Sequence, residues 1–556
     1  MSDLVRESFT SLPTKQQKWP VLLAVWATFF LYGAIAAPVP GVNEPHYLCK
    51  SKHFWQPAWC ERDFFLASPN AHTVFYATIG GLTRFASFEQ SAWLGRAVST
   101  LVLACGWIYG LSPLLFSRAG PLWTAWIFLG LASCGNFSGE WLVGGVEAKV
   151  PCYGFLLAGL GSVLRHRWLS AAAWGGLAVS FHPVIGLWGM LAFLFSQGVT
   201  RLLEFRRQKR QRLLAAGLNE TQANPNVMAL REQGANIPTS LWNLILPGIV
   251  FGLSALPGLI PVIRLLTESA SPETRYAATY LQVYFRLAHH LDPMMFPLRS
   301  YLGYALLLLI WGSSLRWGGR TLAKVRFDQI VLWGVVFALA GIVIGWGPRP
   351  PRLMPFFAQR MNLLKFYPFR LADLLLPIGV AISLIGVLER TALCTLPRKT
   401  WQSWCSHPAS VLLLIFVASL FRIHATAETN RYSREDRIDW LDVCSWIQTH
   451  LPADALVQSP TNGWAFKWFA QRAEFVSFKD CPQDAAGMVE WNRRLNFLQK
   501  WFESNYADQL YSAEELRGLR QQTGLTHLLT DRLGPLELEP IYRNQTFQVY
   551  DLQSLD

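Results

Sequence analysis

Long apolar runs alternate along this chain with short polar segments that carry most of its basic residues. The first run, Trp19 to Ala37, is almost free of charge and has the roughly 20 residues a helix needs to cross a bilayer. Further runs lie near 93–112, 121–138, 150–164, 168–183, 184–203, 241–262, 299–315, 328–346, 371–388 and 407–421, so the pattern predicts about eleven transmembrane helices. The stretch 168–203 is one long apolar run interrupted only by His182-Pro183, where a helix must break or kink. Between the runs stand the basic loops Arg165-His166-Arg167, Arg201 to Arg212, Arg316 to Arg326 and Arg390 to Lys399. With Arg6, Lys15 and Lys18 they mark one side, and the positive-inside bias makes that side cytoplasmic. The segment 38–90 is then a first outer loop, 204–240 a basic cytoplasmic loop that is partly helical, and everything after Phe421 lies outside. The first span lacks the small-residue cleavage site of a signal peptide and is expected to stay in the chain.

The tail is a different kind of sequence. Trp440 to Ile447 has helical spacing, Ala455 to Pro460 reads as a short strand, and a helix is expected near 484–503. Thr526 to Thr530 and Phe547 to Tyr550 read as two more strands. The fold class is therefore a multi-pass α-helical membrane protein, residues 1–424, followed by a small α/β soluble domain, residues 425–556.

Composition agrees: hydrophobic residues make up 52% and charged ones 15%, with 25 Trp and 35 Phe. The net charge of +13 would suggest nucleic acid only if it formed one face, and here it is dispersed over membrane-flanking loops. Nucleic acid is excluded as a partner on that ground. Of the nine cysteines, Cys49 and Cys60 share the first outer loop and Cys444 and Cys481 the outer domain. These are either two disulfides or four reduced, buried thiols; no CxxC pair or zinc-ligand spacing occurs.

Directly outside the first span stands Pro40-Gly41-Val42-Asn43-Glu44-Pro45-His46-Tyr47. A carboxylate at the membrane surface, leading a helix that carries His46, Lys50 and His53, is a candidate general base. Equally, Asn43 or Glu44 caps that helix, whose first turn suits Pro45.

The first 200 residues resemble the GT-C superfamily of integral membrane glycosyltransferases, in the branch of protein O-mannosyltransferases and lipid A aminoarabinose transferases. That branch carries an acidic pair after its first span, Asp-Glu followed by a small residue, His and an aromatic, matched here by Asn43-Glu44-Pro45-His46-Tyr47 with an amide for the first acid. Ala71-His72-Thr73-Val74-Phe75-Tyr76 is similar to its His-Pro-Pro-Leu-Tyr element without the prolines. Gly95-Arg96-Ala97-Val98-Ser99 resembles the opening of its second span, and Val146-Glu147-Ala148-Lys149 supplies the acid at the outer end of the fourth. The tail resembles a periplasmic domain of unknown function found on such proteins.

The resemblance implies transfer of a sugar from a polyprenyl-phosphate donor to a glycan, lipid or protein acceptor at the outer face of a bacterial-type inner membrane. The tail would then be periplasmic. Glu44 is the expected base, because an acceptor hydroxyl must lose its proton as the new C–O bond forms. Asp63 and Glu147 are the expected helpers, Asp63 being otherwise a loop acid paired with Arg62. His46, His53 and His72 would line the substrate loop. The donor phosphate would meet Arg286, His289 and His290, then Arg360, Lys365 and Arg370. Arg370 otherwise pairs with Asp373 or anchors lipid headgroups. No cofactor is required by the sequence. Some relatives hold a divalent metal near the first-loop acids, for which Glu44, His46, His53, Asp63 and His72 are candidate ligands. Two other classes compete: a non-catalytic protein that binds a lipid-linked glycan, favoured by the amide at Asn43, and a transporter, disfavoured because the charges lie at span ends and no repeat is visible.

Overall fold

The computed structural model describes residues 19–132, 136–216, 242–317, 321–388, 433–461, 463–506, 508–531 and 533–555. Seven of its helices are long and apolar enough to cross a membrane: Trp19–Ala36, Phe88–Leu114, Pro183–Leu202, Ile245–Thr267, Leu298–Leu315, Leu322–Gly345 and Arg370–Leu388. Three more apolar helices, Gly120–Ala132, Lys149–Leu164 and Trp168–Phe181, have 10–17 residues. At about 1.5 Å per residue these fall short of the ~30 Å hydrocarbon core. Ten of the eleven predicted runs thus coincide with helices. The eleventh, 407–421, lies outside the described residues, as do Cys134, Cys394, Cys405 and 217–240 of the basic loop.

The break at His182 follows from its neighbour. Pro183 cannot donate to a preceding carbonyl and pushes His182 out of the helical region, to φ −144° and ψ 93°. The next helix then runs on as Pro183–Ala216, through the basic stretch at 205–212. Helix contacts in the bundle rely on small residues. Where Phe88–Leu111 crosses Lys149–Leu164, a Cβ on Gly106 would lie 1.9 Å from the Gly154 carbonyl oxygen, so only glycine allows this approach. On the outer faces Leu253, Leu309 and Val343 are exposed, as residues facing lipid tails must be.

The C-terminal domain is a five-stranded mixed sheet in the order β2-β1-β3-β5-β4. Its strands are β1 (Leu456–Gln458), β2 (Ala473–Glu474), β3 (His527–Thr530), β4 (Tyr542–Arg543) and β5 (Gln548–Asp551). β1 runs parallel to β2 and β3, while β5 runs antiparallel to β3 and β4. Successive strand residues point to opposite faces. Val457, Leu529 and Val549 pack under helix Arg434–His450 through Trp440, Val443, Cys444 and Ile447. Leu456, Leu528 and Tyr550 face the other way, into an apolar cluster that also takes Leu48, Phe65 and Phe75 of the first outer loop. The domain and that loop therefore share one core.

Cys49, Cys60, Cys444 and Cys481 are all free thiols, so the two-disulfide alternative is not what the structure contains. Cys444 sits in the core beneath the sheet, whereas Cys481 lies on a loop with its sulfur 3.4 Å from the Pro482 carbonyl.

Candidate functional site

The first outer loop folds as helices Glu44–Trp55, Phe64–Ala67 and Thr73–Ala77. Pro45 occupies the first turn of the first helix, as expected, but Asn43 makes no side-chain cap. Both ends of its amide are engaged elsewhere. Nδ2 donates to Glu147 Oε1 at 2.9 Å, and Oδ1 accepts from Lys479 Nζ at 2.6 Å.

Glu44 is fully buried. Arg96 grips it with two hydrogen bonds, Nε to Oε1 and Nη2 to Oε2, both 2.7 Å. The amides of Gly41 and Val146 donate to Oε2 and Oε1 at 2.6 and 2.8 Å. Close approach of the 141–147 segment requires glycine at 145, where a Cβ would lie 2.8 Å from Glu44 Cγ. A carboxylate has about four acceptor positions, and all four are taken. Arg96 also donates to Ala37 O at 2.6 Å and Gly33 O at 3.2 Å. Glu44 is therefore a strut joining the first span, its loop, the Phe88–Leu111 helix and the 141–147 segment. As a base, its expected role, it would first have to give up one of these four hydrogen bonds.

Two further buried acids, Glu147 and Glu140, stand nearby. Glu147 is buried, takes the Asn43 amide on Oε1, and lies 3.2 Å from Lys149 Nζ through Oε2. Lys149 stands 3.7 Å from Glu140 Oε1 and over the Trp141 ring at 4.0 Å. Glu140 Oε2 is 3.3 Å from Arg370 Nε, while its Oε1 has no hydrogen-bond partner. The result is a row from Lys479 through Asn43, Glu147, Lys149 and Glu140 to Arg370, set where loops meet the span ends. The expected Arg370–Asp373 pair does not form. Asp373 instead accepts from Phe137 N, Ser138 N and Ser138 Oγ at 2.8–2.9 Å, which hangs the 136–148 segment from the Arg370–Leu388 helix.

The expected cations divide. Arg370 is in the row, with its guanidinium 4.0 Å from the Tyr367 ring centroid. His290 Nδ1 is hydrogen-bonded to Ser138 O, and His289 lies against it at 4.0 Å between rings. Burial, then the neighbouring Arg370 charge, pushes His290 down to about 2, so it is a neutral imidazole. Arg286 donates through Nη2 to Lys479 O at 2.9 Å and leaves Nε unpartnered. Arg360 and Lys365 lie elsewhere. Arg360 donates to Ile344 O and Trp346 O, both at 3.1 Å, and Lys365 is 5.4 Å from the Phe366 ring centroid. No described contact ties either to the Glu147–Arg370 row.

The remaining expected residues meet other partners. Asp63 caps Phe64–Ala67 by accepting from Leu66 N at 2.9 Å, and its other oxygen accepts from Glu474 N of the C-terminal domain at 2.9 Å. Its carboxylate also lies 3.4 Å from Lys467, not beside Arg62 or Glu147. His53 Nδ1 is bound to Trp59 O at 2.8 Å. His46 Nδ1 meets Asp480 Oδ1 at 3.0 Å. His72 lies tilted against His182 and Tyr47, ring centroids 4.9 and 5.5 Å away, with Nδ1 unpartnered. Burial lowers His72 to about 4, against a smaller opposing effect of the Phe181 backbone. Glu44, His46, His53, Asp63 and His72 are thus each bound to separate partners or dispersed. Among the described residues no three His, Cys, Asp or Glu side chains are placed to hold a metal ion.

Reasoning from sequence missed Glu140, Lys149 and the domain's Lys467, Lys479 and Asp480. Lys467 is a buried node, 2.6 Å from Asp480, 2.8 Å from Glu474 and 3.4 Å from Asp63. Burial alone would lower its ammonium, and Asp480, Asp63 and Glu474 together hold it well above its ordinary value. Arg96 carried a usable signal, a lone charge inside an apolar run, which demands a partner.

A family described as a domain of unknown function (DUF6798) matches residues 438–498. No curated protein matches the sequence. Among solved structures the chain is similar to ArnT from Cupriavidus metallidurans bound to undecaprenyl phosphate. That match has 12% identity over 97% of this chain and 98% of the other, with a TM-score of 0.49. It is also similar to the archaeal oligosaccharyltransferase AglB from Archaeoglobus fulgidus in complex with an inhibitory peptide and a dolichol-phosphate. There the identity is 13% over 93% and 70% of the two chains, with a TM-score of 0.41. With both scores below 0.5, the functional assignment rests on the site itself.

Proposed function

We propose that this chain is an inverting membrane glycosyltransferase that moves a sugar from a polyprenyl-phosphate donor to an acceptor hydroxyl, with Glu147 as the base. The observation that carries the reading is the row of Asn43, the buried Glu147, Lys149 and Glu140, and the half-buried Arg370 at the ends of the spans. Ionised groups in such a place are expensive unless they have a function. Apolar helices beside the row suit a polyprenyl tail, and fixed cations within it suit the phosphate.

In this mechanism the acceptor oxygen attacks the anomeric carbon as the bond from that carbon to the donor phosphate oxygen breaks. The hydroxyl proton passes to Glu147, and the phosphate leaves with the bonding electrons as polyprenyl monophosphate. Attack opposite the leaving group inverts the centre and needs one base rather than a nucleophile. Arg370 and Arg286, with Lys149 close by, would balance the charge on the leaving phosphate. The expected first-loop metal ligands do not converge, so no step is routed through a metal. In the same reading the membrane is a bacterial inner membrane, the N-terminus is cytoplasmic and residues 433–555 are periplasmic.

The test is incubation of the purified full-length chain with a panel of undecaprenyl-phosphate sugars and envelope acceptors. Release of undecaprenyl phosphate together with a glycosylated product supports the reading. Absence of turnover with every donor, together with tight donor binding, would favour a non-catalytic glycan-binding protein instead.

A further inference from the structure

We infer that the C-terminal domain is a working part of the transfer site: its Ser477–Cys481 segment, through Lys479 and Asp480, positions Asn43 and with it the Glu147 carboxylate. The inference rests on the glycosyl-transfer reading above. Lys479 faces solvent at the junction of the two domains, yet its ammonium reaches Asn43 Oδ1 at 2.6 Å. Lysine only donates and an ionised carboxylate only accepts. Between Lys479 and Glu147 the Asn43 amide therefore has one satisfactory orientation, carbonyl toward the lysine and NH2 toward Glu147 Oε1 at 2.9 Å. Without Lys479 the amide can turn over and present its oxygen to the carboxylate.

The segment that delivers Lys479 is fixed from three directions. Arg286 of the membrane domain donates to the Lys479 carbonyl at 2.9 Å. Asp480 is clamped between His46 of the first outer loop at 3.0 Å and Lys467 of its own domain at 2.6 Å. Trp491 Nε1 donates to Ser477 O at 2.9 Å. Lys479 and Asp480 are neighbours, and so nearly are their partners Asn43 and His46, on either side of the start of one helix. Two adjacent side chains thus hold the turn that carries the amide, and they fix its position as well as its orientation.

Lys479 is a positioning residue in this account, so its loss should act on turnover rather than on donor binding. The experiment uses the full-length chain with an undecaprenyl-phosphate sugar that the wild type consumes. It compares Lys479→Met, Lys479→Arg, Asn43→Ala and the Lys479→Met/Asn43→Ala double variant, with exposed Arg493→Ala as control. The expected result for Lys479→Met is a kcat lower by about 10- to 100-fold, the scale of a small misplacement in a reacting site. Its donor KM should stay near the wild-type value, Lys479→Arg should recover part of the rate, and the double variant should be no slower than Asn43→Ala alone. A wild-type kcat for Lys479→Met overturns the inference and leaves the function standing. So does a raised KM with kcat intact, which would make the lysine a phosphate ligand. Lack of turnover by the wild type overturns both.

Discussion

Glu44 and Arg96 form a two-point ion pair in the interior, with both hydrogen bonds 2.7 Å and neither side chain more than 2% exposed. Breaking a buried pair from one side strands the other charge and costs about 3–5 kcal/mol. Glu44→Gln and Arg96→Met are therefore expected to lower folded yield and melting temperature sharply. The Glu44→Gln molecules that do fold should turn over donor within a few-fold of wild type. Thermal unfolding and turnover per folded molecule separate the two effects. A normally stable but inactive Glu44→Gln would return Glu44 to the role of base.

A pH dependence follows from His72. Its ordinary value of 6.5 is lowered to about 4 in the fold, chiefly by burial. Above pH 6.5 neither state binds the proton, and the group contributes nothing to the slope. Between 6.5 and 4 the unfolded chain takes up a proton that the native state refuses, so stability falls as the pH drops. The full effect is on the order of 3 kcal/mol. Melting temperatures over this window should fall less steeply in His72→Gln than in the wild type, and parallel curves would refute the assignment.

Lys467 is expected to hold the C-terminal domain against the first outer loop. Lys467→Met leaves Asp63, Glu474 and Asp480 crowded without a cation, a loss of about 3–5 kcal/mol. The loss should be greater at pH 8 than at pH 5, because protonation relieves the repulsion between the acids. Limited proteolysis of the full chain at the two pH values reads this directly, with faster cleavage of the variant around residues 460–484. Equal cleavage of variant and wild type at pH 8 would show that the apolar core alone secures the domain.

The cations that look alike in the sequence should behave differently. Arg370→Ala and Arg286→Ala are expected to raise donor KM by ~10-fold or more, since a charged hydrogen bond contributes about 1.5–3 kcal/mol. Lys365→Ala should leave KM unchanged. Arg360→Ala should lower stability instead, because Arg360 ties the carbonyls of Ile344 and Trp346. Steady-state kinetics with one lipid-linked donor settles which set binds phosphate.

Much of this architecture was legible in the sequence because the bilayer imposes a length and a polarity on each span. The break at His182-Pro183 and the start of the Glu44–Trp55 helix followed from proline alone. Strands β2 and β4 were not legible, since two residues carry no alternation. Helix Ala513–Thr523 was missed although its capping box, Ser512 with Glu515, is written in the sequence. The site was only half visible. Arg370 stood out as a charge at the start of a span and Glu147 only through the family resemblance, but whether a carboxylate is free or saturated depends on backbone amides such as Val146 N and Gly41 N, which no residue pattern reveals. Lys479 and Asn43 are separated by 436 positions, and nothing local links them.

The central claim is that Glu147, not Glu44, receives the acceptor proton. Its most direct test is the turnover rate of purified Glu147→Gln with a donor that the wild type consumes, measured at matched folded concentration. Glutamine keeps the shape and one acceptor oxygen but cannot take the proton. Loss of a positioned base predicts a rate ~10²–10⁴-fold lower per folded molecule. A Glu147→Gln protein that folds and transfers sugar at the wild-type rate would contradict the account.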